Sequence, residues 1–140
     1  MKRVLIILSI LLLCSGIVCA QEASEIPSTS GNAYLRICSA IEKDNGVKTQ
    51  DELRHIISCA AYTSGVVDGV KAEEAFQRVY IGKSHTSPFC VPDAADNGQM
   101  IRITLKYIRN NPEEAHKTTV ILIVEALREA FSCLAPAAKK

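Results

Sequence analysis

Four cysteines, Cys38, Cys59, Cys90 and Cys133, set the terms for what this chain can build. Two more, Cys14 and Cys19, lie in an apolar leader. The chain opens with Met1, Lys2 and Arg3, carries no charge from Val4 to Ala20, and turns polar at Gln21, Glu22 and Ser24. A membrane-spanning helix needs about 20 apolar residues with anchors at both ends, whereas this stretch is shorter and ends in Val18, Cys19 and Ala20, side chains that suit a peptidase cleft. Residues 1–20 therefore read as a signal peptide cut after Ala20. A lipidated cysteine follows a small residue, but Cys14 and Cys19 follow Leu13 and Val18, which argues against lipid attachment. Export to an oxidising compartment is expected, where an even set of four cysteines reads as two disulfides.

Loss of the leader removes Lys2 and Arg3, so 16 basic residues become 14 against 15 acidic ones. The remaining basic residues are scattered among Glu and Asp, and only Lys139 and Lys140 are adjacent, which speaks against a nucleic-acid or membrane-binding face. About 120 mature residues suit one domain. With no Trp, three Phe and four Tyr, the core must come from Ile, Leu, Val and Ala, and crosslinks compensate for limited burial.

The apolar spacing predicts an all-α domain of four to five helices in two hairpins, each closed by a disulfide, over residues 32–134. A flexible entry segment, 21–31, precedes it and a frayed tail, 135–140, follows. Asn32 is placed to cap a first helix with Tyr34, Leu35, Cys38 and Ile41 on one face, ended by Asp44, Asn45 and Gly46. A second helix runs from a Thr49 cap to about Gly69. Asp51 and Glu52 lie in its first turn, and Leu53, Ile56, Ile57, Ala60 and Ala61 form the expected buried stripe. Ala61, Gly65 and Gly69 recur every four residues beside Ser58 and Ser64, a face for close helix packing within the subunit or across a dimer interface. Residues 71–80 are open to a helical continuation, and Gly82 to Asp96 reads as a long loop tied at Cys90. The third helix spans Gln99 to Asn110, with Ile101, Leu105 and Ile108 inward and Met100 and Thr104 beside them. Asn111, Pro112 and Glu114 form a start signal for a fourth helix. Its stripe, Ala115, Thr119, Leu122, Ile123, Ala126, Leu127, Ala130 and Phe131, runs five turns to Cys133.

Helix phase selects one of three disulfide connectivities. In an antiparallel first hairpin Cys38 and Cys59 sit at similar heights, and closure of the second brings Cys90, ahead of helix three, to Cys133, after helix four. No cysteine or histidine spacing suits a metal, no cofactor motif is present, and no nucleophile elbow, phosphate loop or His-Glu-x-x-His pattern suggests an enzyme. Asp68 reads as a helix-end or turn residue bonded to nearby backbone N–H groups, and His116 as a solvated ion-pairing residue near Glu113.

The ordered residues Gly31-Asn32, Leu35, Cys38, Cys59-Ala-Ala-Tyr62, Gly65-Val-Val-Asp68-Gly69, Phe89-Cys90-Val-Pro92, Gln99, Lys106-Tyr107-Ile108, Pro112, His116, Ala126-Leu127 and Ala130-Phe131-Ser-Cys133 together resemble the Rap1a/Tai immunity proteins. Ser132 stands where that family commonly has proline. The resemblance implies a bacterial periplasmic, all-helical, often dimeric protein that binds and blocks a peptidoglycan amidase effector delivered by type VI secretion. The contact surface is expected on the loop Gly82 to Asp96, through Lys83, Ser84, His85, Ser87, Phe89 and Asp93. The competing expectation is a small disulfide-bound periplasmic chaperone or stress protein.

Overall fold

The computed structural model describes residues 27, 29–43, 46–82 and 86–133. The expected signal peptide and its cleavage site, the tail from 134 onward, Asp44, Asn45, and the loop residues Lys83, Ser84 and His85 lie outside them. The described residues form four α-helices and no strand: α1 Gly31–Cys38, α2 Gln50–Phe76, α3 Asn97–Asn110 and α4 Thr119–Ala130. A 3₁₀ turn, Ser39–Glu42, follows α1, a π turn, Gln77–Ile81, continues α2, and a second 3₁₀ turn, Pro112–Glu114, precedes α4. Both expected disulfides are present, Cys38–Cys59 with Cα atoms 5.7 Å apart and Cys90–Cys133 with Cα atoms 4.9 Å apart.

The core forms where four apolar stripes meet: Tyr34, Ile37 and Cys38 from α1, Cys59 and Val67 from α2, Ile101, Leu105 and Ile108 from α3, and Leu122, Ile123 and Leu127 from α4. The α3 and α4 stripes are largely as the periodicity predicts, with Met100, Thr104, Thr119 and Ala126 also buried. Exposed Ala130 and half-buried Phe131 are the outer members of the α4 stripe. Asp96 starts α3 two residues earlier than expected, its carboxylate accepting from the Gln99 amide at 2.7 Å and satisfying one of the free donors at the helix start. Arg109 of α3 holds Glu42 after α1 through both guanidinium arms, the Nη1–Oε1 contact being 2.8 Å.

Three expectations need correction. Ser30, rather than Asn32, caps α1, its hydroxyl accepting from the Ala33 amide at 3.3 Å. The next free amides of α1 are satisfied from elsewhere in the chain: Gly31 donates to the Lys117 carbonyl at 3.1 Å and Asn32 to that of Ala115 at 2.9 Å. Pro27, just upstream, is fully buried, and its carbonyl accepts from the Thr119 hydroxyl at 2.8 Å.

Those same contacts explain the second correction, at α4. The Asn111-Pro112-Glu114 signal opens only a 3₁₀ turn, and the α-helix begins at Thr119. The carbonyls of Ala115 and Lys117, which a continuous helix would use internally, are taken by α1 instead. Asn111 turns its side chain back, Nδ2 donating to the Tyr107 carbonyl at 2.9 Å, so it closes α3 rather than opening α4.

The third concerns α2. Thr49 caps it as expected, in a reciprocal capping box: its hydroxyl accepts from the Glu52 amide at 3.2 Å while the Glu52 carboxylate accepts from the Thr49 amide at 2.9 Å. Lys43 beside Glu52, with that amide, holds its carboxyl down at about 2. The helix does not end near Gly69 but runs on through Phe76 into the π turn. Its buried residues are Cys59, Thr63 and Val67, while Leu53 and Ile57 of the expected stripe are exposed and Ile56 and Ala60 half-buried. The disulfide to α1 fixes the rotation of α2, turning Cys59 and its helical neighbour Thr63 inward. Ala61, Gly65 and Gly69 consequently face out, and among the described residues a Cβ added at Gly65 or Gly69 would meet nothing within 4 Å. Among the described residues no helix packs closely against that face.

Candidate functional site

The irregular segment between α2 and α3 is held from below. Phe89, expected at the contact surface, is instead buried in the core, an apolar ring that stabilises the segment by leaving water. Next to it the Cys90 amide donates to the Phe131 carbonyl at 2.7 Å, and the Cys90–Cys133 bond joins the same two stretches of chain. Ser87 is half-buried, its hydroxyl donating to the Phe89 carbonyl at 2.6 Å, and this closes the backbone around the buried ring. A turn at Pro92 to Ala95, bonded at 2.9 Å, then presents Asp93 to solvent. Of the six expected contact residues, Asp93 is exposed, Ser87 half-buried and Phe89 a core anchor, and Lys83, Ser84 and His85 lie outside the described residues.

Asp68 is exposed in the middle of α2, not at a helix end, and shares a small cleft of about 230 Å³ with Lys71 and Asp93. The cleft therefore joins the outer side of α2 to the turn of the loop. His116 is exposed in the turn before α4, where the ion pair is made by its neighbour Lys117 with Glu114 at 2.8 Å. That lysine holds the Glu114 carboxyl below the usual carboxylate range.

Sequence reasoning missed two features. One is a groove of about 640 Å³ between α2 and α4, with Tyr62, Val66 and Val70 on one wall, Val120 and Val124 on the other, and Pro88 at its edge. The signal for it was present in the four-residue spacing of small residues, but that spacing alone does not say whether a neighbour fills the space. The other is the hydroxyl of Tyr107, within 3.2 Å of Glu114 and 3.1 Å of Glu125. Burial, reinforced by the two carboxylates, pushes this phenol well above its ordinary value. Nothing in the local sequence brings positions 107 and 125 together.

Among the described residues no group of three or more His, Cys, Asp or Glu is placed to hold a metal, and no helix is long and apolar enough to cross a membrane. What the arrangement offers is recognition: a disulfide-anchored loop, a cleft beside it, and an apolar groove. No curated protein and no solved structure matches the chain. The family model of the Rap1a immunity proteins matches residues 30–133, a span that takes in all four helices, both disulfides and the anchored loop, and the chain belongs to that family.

Proposed function

We propose that the chain is exported to the periplasm, loses residues 1–20, and there binds and inhibits a peptidoglycan amidase delivered by type VI secretion. The observation that carries this reading is the family match over residues 30–133. The anchoring of the loop supports it. An inhibitor that must order its contact segment on binding loses affinity, of the order of 0.5–1.5 kcal/mol per immobilised side chain, and a segment fixed at Phe89 and Cys90 has met much of that cost in folding. The contact is made by Lys83, Ser84, His85, Ser87 and Asp93, and Phe89, buried in the core, anchors the loop that carries them in sequence.

The working form is a homodimer. Support comes from apolar side chains that α2 and its π turn leave in solvent, Ile57 at 67%, Val79 at 71% and Tyr80 at 75% exposure, more than an isolated subunit has reason to display. The test is co-expression with an amidase encoded beside it. A stable complex and protection of the cell from lysis are expected, and failure of both would sink the immunity reading. Light scattering of the purified chain decides the dimer independently, with Ile57→Glu and Val79→Glu expected to give monomers.

A further inference from the structure

We infer that two copies of this chain pair through α2 and its π turn, antiparallel about a two-fold axis between Val70 and Lys71, so that the partner's Phe76 and the partner's Tyr80 enter the groove between α2 and α4. This rests on the homodimer proposed above and names the surface that makes it. Ala61, Gly65, Gly69, Ala72, Phe76 and Tyr80 follow one another at steps of four, four, three, four and four residues. Such steps keep to one face of a helix. The rings of Phe76 and Tyr80 still meet where α2 passes into the π turn, their centroids 4.9 Å apart. All six positions are exposed, and none carries a charge.

Read backwards, the steps are the same. A face spaced in this way matches itself when a second copy runs antiparallel, and a two-fold interface uses the same patch on both subunits. Ala61 then lies opposite the partner's Tyr80, Gly65 opposite the partner's Phe76, and Gly69 opposite the partner's Ala72. Each aromatic ring meets a small residue. Parallel pairing would instead set ring against ring and gap against gap.

Space and area agree with that register. Among the described residues a Cβ added at Gly65 or Gly69 would meet nothing within 4 Å. The groove of about 640 Å³ beside them is walled by Tyr62, Val66, Val120 and Val124, apolar side chains against which an entering ring leaves water. Phe76 is 50% exposed and Tyr80 75%, an aromatic pair that a lone subunit would leave in solvent. Ile57, one turn before Ala61, and Val79, beside the rings, are exposed as well and extend the patch at both ends. With aromatic side chains of roughly 150–250 Å² each, these four and Val120 expose on the order of 500–600 Å² per subunit. The small residues between them bring the face close to the ~800 Å² per partner of a standard interface.

The test uses the chain from Gln21 to Lys140, with sedimentation over a range of concentrations to give the dimer dissociation constant. Phe76→Ala and Gly65→Trp are each expected to raise it roughly thirtyfold, the scale of an interface hot spot, with helical circular dichroism retained because both positions are exposed. Gly65→Ala, which adds a single methyl group to that face, should leave it unchanged. A benzophenone amino acid in place of Tyr80 is expected to cross-link, at twice the chain mass, to the tryptic peptide His55–Lys71, which carries Ala61, Gly65 and Gly69. A cross-link to the peptide that holds position 80 itself would set the helices parallel and overturn the proposal. So would a dimer whose constant neither Phe76→Ala nor Gly65→Trp moves, and in both cases the homodimer itself would stand. A chain that is monomeric at every concentration would overturn the homodimer and this interface together.

Discussion

Tyr34 Oη and Thr63 Oγ1 meet at 2.8 Å inside the core, and neither side chain has any solvent exposure. Four residues further along α1 and four residues back along α2, Cys38 and Cys59 form their disulfide. The two contacts are successive rungs of one antiparallel ladder, a hydrogen bond and a covalent bond one helical turn apart. The polar rung suits this position because each hydroxyl gives the other a partner where water is excluded. Tyr34→Phe or Thr63→Val alone leaves a buried hydroxyl with one fewer partner and should cost about 1–3 kcal/mol. The double variant should cost less than the sum of the two, and a denaturant double-mutant cycle measures the difference.

The same tyrosine makes stability fall at high pH. Burial, only partly offset by bonds from Thr63 and Thr104, pushes its phenol up from 10.0 to about 12. In the unfolded chain the phenol ionises near its ordinary value, so between pH 10 and 12 the unfolded state holds fewer protons and the folded state is disfavoured as pH rises. The stabilisation is complete below pH 10 and disappears through pH 12, a loss of the order of 2–3 kcal/mol. Tyr34→Phe should flatten the stability profile over that range, measured by urea denaturation at a series of pH values. An unchanged slope would assign the alkaline loss to other groups.

The two disulfides should fail differently. Cys38–Cys59 joins helices that also meet in the core through Tyr34 and Thr63, whereas Cys90–Cys133 joins an irregular segment to the end of α4, where Phe89 and one backbone bond are the other ties. Loop-closure entropy predicts roughly 3–4 kcal/mol for either. Replacing Cys90 and Cys133 by Ser should speed hydrogen exchange at residues 87–92 while the amides of α1 and α2 keep their protection. Replacing Cys38 and Cys59 should lower protection throughout. Mass-resolved hydrogen exchange separates the two patterns, and identical patterns would refute the distinction.

Much of this was legible in the sequence, and the parts that were not have physical causes. Ile101, Leu105 and Ile108, or Leu122, Ile123 and Leu127, announce their buried face because polar residues occupy the other side. In α2 apolar residues occur on every side, Leu53 and Ile57 as well as Ile56, Val66 and Val70, so spacing could not choose a face. A tertiary contact, the bond to Cys38, chose it. Asn111-Pro112-Glu114 is a sound helix-start signal, overridden by the α1 amides that take the Ala115 and Lys117 carbonyls, a pairing across more than 80 residues that no local pattern records. For the site, the loop and its cysteine tie were readable, but Phe89 was assigned outward because an aromatic residue between Pro88 and Cys90 gives no periodic hint of its direction.

Two glycines on α1 and α2 should respond to alanine with opposite sign. At Gly31 an added Cβ would lie 2.5 Å from Leu122 Cδ1 and 3.0 Å from the Ala115 carbonyl oxygen. The leucine tip can move, but the backbone oxygen is held by the Asn32 amide next door, so Gly31→Ala must push α1 away from the turn that caps it. Overpacking of this kind costs about 1–3 kcal/mol. At Gly65, inside α2, a Cβ meets nothing within 4 Å among the described residues, and alanine removes the entropic penalty of a mid-helix glycine, a gain of about 0.5–1 kcal/mol. Thermal unfolding should move several degrees down for Gly31→Ala and up for Gly65→Ala. A loss at Gly65 would mean that the outer face of α2 is occupied too closely for a methyl group. A gain would mean that folding of the subunit does not require glycine there, and that the space it leaves serves whatever lies against α2.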